Sequence, residues 1–223
     1  MSKILFKLPS RGRPERFFKA LDSIVHNVKD LENFIVSCTL DSDDEAMNND
    51  IVIDKIKSYP NTIIEWGTSI SKIDAINRSM PKEDWDYLVV GSDDIYFHTF
   101  GFDEMIRQEF AQHFSDGDGY IHFKEKDSGS ALCVMTCCDK KYYDRFGYIY
   151  HPEYISLFAD NEQFDVAKIL GRYIYVPYEI MEHKNPAYGY IEKDEMFEKQ
   201  QKIGWTKDQE TYNKRKAKIF DLL

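Results

Sequence analysis

Over its first half the chain alternates short apolar runs with longer stretches in which apolar positions recur every three or four residues. Ile4 to Pro9 is an apolar run, and Pro14 then stands where the first turn of a helix tolerates proline. Phe17, Leu21, Ile24, Val25 and Val28 follow on a single helical stripe. The pattern repeats: it predicts strands over Phe34 to Leu40, Thr62 to Trp66 and Tyr87 to Val90, and helices over Met47 to Tyr59 and Ser71 to Met80. Three strand–helix units closed by a fourth strand predict an α/β fold, a mainly parallel sheet with helices on both faces. Such sheets take ligands at the carboxyl ends of their strands, where strand order reverses.

The second half is less regular. Its pattern predicts a helix over Phe102 to Phe114, strands over Tyr120 to Phe123 and Ala131 to Cys137, and a helix from Asp160 to Leu170. Two strands follow, Tyr173 to Val176 and Glu179 to Met181, and a polar helical stretch runs from Asp194 to Leu223 with a break expected at Gly204. Nothing resembles a linker or a repeat. The pattern divides into one domain over 1–193, with halves at 1–98 and 99–193, and a helical extension over 194–223.

A length of 223 residues fits one domain with an appendage and needs no covalent staple. The net charge of −10 excludes a protein whose main affinity comes from neutralising many phosphates, so no broad nucleic-acid binding is expected. No run approaches the roughly 20 apolar residues of a membrane helix, and Lys7 interrupts the amino-terminal apolar run, so a soluble, cytoplasmic protein is expected. The four cysteines, Cys38, Cys133, Cys137 and Cys138, read as small buried apolar residues rather than as a disulfide framework or a metal set.

The unusual polar residues collect at the strand ends. Tyr87-Leu88-Val89-Val90 delivers Gly91-Ser92-Asp93-Asp94, two adjacent carboxylates that call for a cation. Hard oxygen donors suit Mg²⁺ or Mn²⁺, and His183, after a late strand, is a fitting imidazole partner. Phe158-Ala159-Asp160-Asn161-Glu162-Gln163 reads as a helix entrance, with Asp160 and Gln163 as a capping box and Glu162 reaching a cleft. Either acid could serve as a general base. Lys3, Lys7, Arg11, Arg13, Arg16 and Lys19 make a local basic excess near the amino end, and Arg11 and Arg13 stand where guanidinium groups could meet a diphosphate. Neither Gly-x-x-x-x-Gly-Lys-Ser/Thr nor Gly-x-Gly-x-x-Gly is present, which excludes a P-loop and the usual dinucleotide fingerprint.

Taken in order, these motifs resemble a glycosyltransferase of the GT-A fold, with its Rossmann-like sheet, close to the family 2 group. The resemblance runs from residue 3 to about 190. Its parts are Leu8-Pro9-Ser10-Arg11, Asp41, Ser71 to Asn77, Ser92-Asp93-Asp94 as a variant of the Asp-x-Asp motif, Asp160-Asn161-Glu162 and His183. The resemblance implies that Pro9, Ser10, Arg11 and Arg13 line the nucleotide-sugar site, that Asp41 bonds the base, commonly uracil, and that Lys72 and Asn77 lie near ribose or diphosphate. It implies that Asp94 holds the metal directly, that Asp93 binds ribose or the metal through water, that Ser92 lies in the nucleotide-sugar site, and that His183 closes the coordination shell. Asp160 or Glu162 would be the base of an inverting transfer from a nucleotide sugar, most simply a UDP-sugar, to an acceptor hydroxyl on a glycan, lipid-linked sugar, protein or modified DNA base. On this basis 1–98 would be the nucleotide-binding half and 99–193 the acceptor half.

Two departures stand out: Ser92 replaces the first aspartate of the metal motif, and Asp-Asn-Glu replaces the usual Glu-Asp pair. A sugar nucleotidyltransferase shares the architecture but opens with a glycine- and basic-rich loop that Ser10-Arg11-Gly12-Arg13 only partly supplies. A non-catalytic nucleotide- or carbohydrate-binding module is the alternative outside enzymes.

Overall fold

The computed structural model describes residues 1–222, without the side chains of Met196, Lys199, Gln200 and Ile203; Leu223, the expected end of the helical extension, lies outside the described residues. A seven-stranded sheet forms the centre, in the order β3-β2-β1-β4-β7-β6-β8. Strand β1 (Ile4–Pro9) pairs parallel with β2 (Phe34–Asp41) on one side and β4 (Tyr87–Val90) on the other, and β3 (Thr62–Gly67) extends β2 in parallel. Strand β6 (Tyr120–Phe123) runs parallel to β8 (Tyr173–Val176), while β7 (Thr136–Asp139) lies antiparallel to both β4 and β6. The chain therefore steps outward from β1 to β3 and returns across the sheet to β4. That return places the reversal of strand order between β1 and β4, where a parallel sheet opens a crevice.

Side-chain alternation divides the core in two. Ile4, Phe6 and Leu8 of β1 pack with α1 (Pro14–Asn27), α2 (Asp50–Lys57) and α4 (Phe102–His113), whose buried residues include Phe17, Leu21, Ile24, Ile56, Phe102 and Phe110. Leu5 of β1 and Leu88 and Val90 of β4 face the other way, onto Ile73 and Ile76 of α3 (Lys72–Asn77), Tyr142 of α5 (Lys140–Asp144) and Phe164 of α6 (Ala159–Ile169). Helices thus cover both faces, as the period-two strands and stripe-bearing helices require.

The departures from the expected elements have local causes. The second helix begins at Asp50 rather than Met47, because the Asn49 side chain caps it at the Val52 N–H, 3.1 Å away. The apolar run from Ala131 contributes only Thr136 onward to the sheet, since its partner β4 offers four residues, Tyr87 to Val90, to pair with. Strand β5 (Ile95–Phe97), directly after the paired aspartates, pairs antiparallel with β9 (Met181–His183) as a separate two-stranded sheet. That partner moves the late strand from the expected Glu179–Met181 to Met181–His183. The last helix, α7 (Glu195–Lys216), runs through Gly204 without the expected break, and a Cβ at Gly204 would stand 3.0 Å from Leu157. Among the described residues no helix is long and apolar enough to cross a membrane. All four cysteines are free and buried, as expected.

Candidate active site

The loops after β1, β3 and β4, the end of β2, the start of α3, the entrance to α6, the end of β9 and the first two turns of α7 enclose a cleft of about 490 Å³. It lies at the carboxyl ends of the parallel strands. Pro9, Ser10, Arg11, Arg13, Asp41, Lys72, Ser92, Asp93, Asp94, Asp160 and His183 all line it. Of the residues singled out in the sequence, Asn77 and Glu162 do not.

One wall is built around Asp41, buried at the end of β2. Its Oδ2 accepts from Arg11 at 2.7 Å, and its Oδ1 accepts from the Ser69 hydroxyl and from Arg78, each at 2.7 Å. Arg11 forks onto Asp43 as well, at 2.7 and 3.0 Å. A carboxylate can accept about four hydrogen bonds, so Asp41 keeps capacity for one more donor. Arg78 carries no recognisable motif, yet it is central here: it also donates to the Leu40 carbonyl and the Ser69 hydroxyl. Gly67 makes the room, since a Cβ there would stand 2.1 Å from the Arg78 guanidinium. Beneath, the buried Lys7 ammonium donates to the carbonyls of Arg78 and Ser79 at 2.6 and 3.2 Å, and burial pulls its pKa down to about 8.

The floor is the turn after β4. Asp93 is 5% exposed and accepts from the Ser10 hydroxyl at 2.8 Å and from Arg13 at 3.2 Å. Burial raises its pKa, with Arg13 opposing the shift. Arg13 reaches from Asp93 across to Asp194, 2.7 Å away, so the two basic residues expected to meet a diphosphate are both held by carboxylates. Asp94 is bonded by the Ser92 hydroxyl through Oδ1, and its Oδ2 lies 3.5 Å from His183 Nε2. Burial works against its charged form, but the imidazole and the Ser92 hydroxyl outweigh it and hold Asp94 below the usual carboxylate range.

The β5–β9 pairing creates that proximity. Ile95 stands opposite His183, and the Lys184 N–H donates to the Asp94 carbonyl at 2.8 Å, so two residues distant in sequence are fixed side by side. Two donors 3.5 Å apart suit a single small divalent ion, whose bonds to imidazole and carboxylate run at about 2.0–2.2 Å. Among the described residues no group of three or more His, Cys, Asp or Glu side chains forms a ready-made cage. The donor set thus fits an ion that Asp94 and His183 hold and that phosphate oxygens and water complete, the usual manner for Mg²⁺ and Mn²⁺.

The two acids of α6 separate. The expected capping box is absent: the helix starts at Ala159 behind Phe158, with no side-chain cap, and the Gln163 amide bonds the Ile149 carbonyl instead. Asp160 lies in the cleft and accepts from the Asn161 N–H at 3.0 Å. Burial raises its pKa, which the charges of Lys72 and His183 partly offset. Glu162, two residues on, faces the opposite side of the helix. Arg215 of α7 holds it with bonds of 2.8 and 2.9 Å, and the Tyr154 hydroxyl adds a third at 2.7 Å. The Glu162 carboxylate is thus 4% exposed, held in an ion pair and outside the cleft.

Asn77 has a structural role too: its Nδ2 donates to the Tyr150 carbonyl at 2.6 Å, and its Oδ1 accepts from the N–H groups of Ile149 and Tyr150. Lys72, by contrast, is exposed in the cleft, where its charge acts on both Asp94 and Asp160.

No protein-family model and no curated protein sequence matches the chain. Solved structures do. TarS of S. aureus, residues 1–349, aligns with a TM-score of 0.66 at 12% identity, over 84% of this chain and 63% of that one. The same protein in complex with UDP-GlcNAc aligns with a TM-score of 0.68 at 11% identity, over 87% and 60%. A mannosyltransferase, PcManGT from Pyrobaculum calidifontis in complex with GDP-Man and Mn²⁺, aligns with a TM-score of 0.68 at 13% identity, over 85% and 59%. These are GT-A-type glycosyltransferase structures, and the fold expected from the sequence is the fold observed. The chain spans about three fifths of the length of the structures it matches.

Proposed function

We propose that this chain is a glycosyltransferase that moves a sugar from a nucleotide sugar to an acceptor hydroxyl, with a divalent metal and with inversion. The observation that carries the reading is the convergence of Asp94 with His183, Lys72 and Asp160 on one cleft at the reversal of strand order in a GT-A fold. The nucleotide sugars in the similar structures, UDP-GlcNAc and GDP-Man, support the donor class, and the Mn²⁺ beside GDP-Man supports the metal.

On this reading residues 1–98 carry the donor. The remaining acceptor position of Asp41 faces a base with a ring N–H, as uracil and guanine have, and the Ser69–Arg78–Arg11 set fixes the carboxylate for it. Ser10 and Arg13 orient Asp93 toward the ribose side. Asp94 and His183 hold the cation, which when bound supplies Lewis-acid stabilisation of the charge that develops on the departing diphosphate. Lys72 adds a positive charge at the same end of the cleft.

Residues 99–193 supply the acceptor side. Asp160 takes the proton from the attacking hydroxyl, and its desolvated carboxylate is a stronger base than one in water. With Glu162 withdrawn, Asp160 is the one acid of α6 left in the cleft, which supports a single displacement with inversion.

The test is release of the free nucleotide, a nucleoside diphosphate from UDP-, GDP- and dTDP-sugars and the monophosphate from CMP-sugars, with and without Mn²⁺. Turnover of one donor that requires the metal supports the reading; cleavage between the two phosphates, or no turnover of any donor, contradicts it.

A further inference from the structure

Helix α7 has a polar, charge-laced sequence that suits a solvated surface, yet two of its charged residues are among the most buried in the chain: Asp208 is 0% exposed and Arg215 5%. Asp208 spends both carboxylate oxygens on one short segment. Oδ1 accepts from the Ile155 N–H at 2.9 Å, and Oδ2 from the Ser156 and Leu157 N–H groups, each at 2.8 Å. All three residues line the cleft. About two turns further along α7, Arg215 grips Glu162.

Between these two clamps lies Phe158, at φ 61° and ψ −5°. That is left-handed backbone, which an aromatic residue rarely adopts and which persists where the surroundings over-determine it. The kink has a directional consequence. The chain enters α6 turned so that Asp160 faces the cleft and Glu162 faces α7. Gly204 lets α7 approach closely enough, since a Cβ there would stand 3.0 Å from Leu157 and 3.1 Å from the Asp208 carboxylate. At its other end α7 is capped by Asp194, which also holds Arg13 against Asp93.

We propose that Asp208 is a positioning residue for the transfer reaction: by fixing the backbone of Ile155–Leu157 from α7 it enforces the Phe158 kink and sets Asp160 against the acceptor hydroxyl. This rests on the reading of Asp160 as the base. The helix at the carboxyl end is then part of the active-site framework rather than an appendage. Misplacing a reacting group by about 1 Å can cost on the order of 100-fold in rate while leaving binding at a distance untouched.

The experiment compares wild type with Asp208→Asn, whose amide nitrogen presents donors to donors, and with Asp139→Asn. Asp139 is a buried carboxylate that likewise accepts two backbone N–H groups, of Gly119 and Tyr142, but lies outside the cleft. Three quantities are read: amide hydrogen exchange over residues 155–161, kcat for nucleoside diphosphate release, and donor KM. Asp208→Asn is expected to speed exchange over 155–161 and to lower kcat about 10- to 100-fold with donor KM within about twofold. Asp139→Asn should leave both the exchange of that segment and kcat near wild type. Unchanged exchange over 155–161 in Asp208→Asn overturns the clamp, and faster exchange with unchanged kcat overturns the positioning role. An equal loss of kcat in Asp139→Asn also overturns it, because the effect would then be one of general stability. Should Asp208→Asn fail to fold, Asp208→Glu, which keeps a carboxylate but displaces it by one methylene from the Ile155, Ser156 and Leu157 N–H groups, is read by the same criteria. A wild type that turns over no nucleotide sugar sinks the proposed function, while the exchange data still decide the clamp.

Discussion

Asp160 and Glu162, two residues apart on the first turn of α6, face opposite sides of the helix: one lines the cleft and the other is locked to Arg215. On the proposed function, this pair of acids separates catalysis from stability. Asp160→Asn is expected to keep its fold and its donor affinity while losing transfer by at least about 100-fold, as loss of a general base does. Glu162→Gln is expected to do the reverse. Breaking a buried ion pair costs on the order of 3–5 kcal/mol, so its melting temperature should fall by several degrees with donor KM retained. Parallel melting curves and initial rates on the two variants check both.

The raised pKa of Asp160 gives a stability signature of its own. A carboxyl whose folded pKa lies above its unfolded value favours folding below the unfolded pKa, and that contribution is lost as pH rises through the folded pKa. Asp160→Asn removes the group, so it should melt no lower than wild type at neutral pH and should lose that relative advantage as pH falls below the ordinary carboxylate range of about 4. Melting temperatures of both proteins across this range test it. In the rate profile, the acid limb of wild-type kcat should lie above that same range.

His122 predicts the opposite sense. It is 1% exposed, its Nδ1 pairs with the Tyr173 hydroxyl at 2.9 Å, and burial pulls its pKa down to about 4. A depressed folded pKa gives stability that is present above the unfolded pKa of about 6.5 and is lost as pH falls toward about 4. Replacing it by Asn should flatten the fall in melting temperature across that window. A fall as steep as wild type would show that other groups govern acid unfolding there.

Lys72 separates binding from proton transfer. Lys72→Met keeps the aliphatic stem on α3 but removes the charge near Asp94 and Asp160. It should weaken nucleoside diphosphate binding about 5- to 10-fold, in line with one partly exposed charge-assisted contact, and leave the melting temperature of the unliganded protein within about one degree. Calorimetric titration with the nucleoside diphosphate checks the first and a melting curve the second.

Most of the sheet was legible because parallel strands buried on both faces read as continuous apolar runs, and stripes such as Phe17-Leu21-Ile24 admit only a helix. The cleft was legible for the same reason: strand ends that carry Ser10-Arg11, Asp41 and Asp93-Asp94 must lie along one edge. What the sequence could not show is direction and partnership. Glu162 and Asp160 look alike until Arg215 is brought 53 positions back along the chain to meet one of them. Arg78 and Asn77 stand next to each other, and only the folded chain shows that the first serves Asp41 and the second a loop at Tyr150. The one available hint for α7 was its burial-prone pattern of Gly204, Asp208 and Tyr212 at intervals of four, one helical face that a purely solvated helix does not need.

If Asp94 and His183 form a metal-assisted nucleotide-sugar site, as proposed, donor binding must depend on Mn²⁺ and on Asp94. Melting temperatures of wild type and Asp94→Ala are measured with UDP-, GDP-, dTDP- and CMP-sugars. A ligand at 100 times its Kd adds about 2.7 kcal/mol, which in a domain of this size is roughly 5–10 °C. Such a rise is expected for one nucleotide sugar in wild type with Mn²⁺, with a smaller rise without the metal and no metal-dependent part in Asp94→Ala, whose unliganded melting temperature stays close to wild type. No rise with any nucleotide sugar, or an equal Mn²⁺-dependent rise in Asp94→Ala, would contradict it.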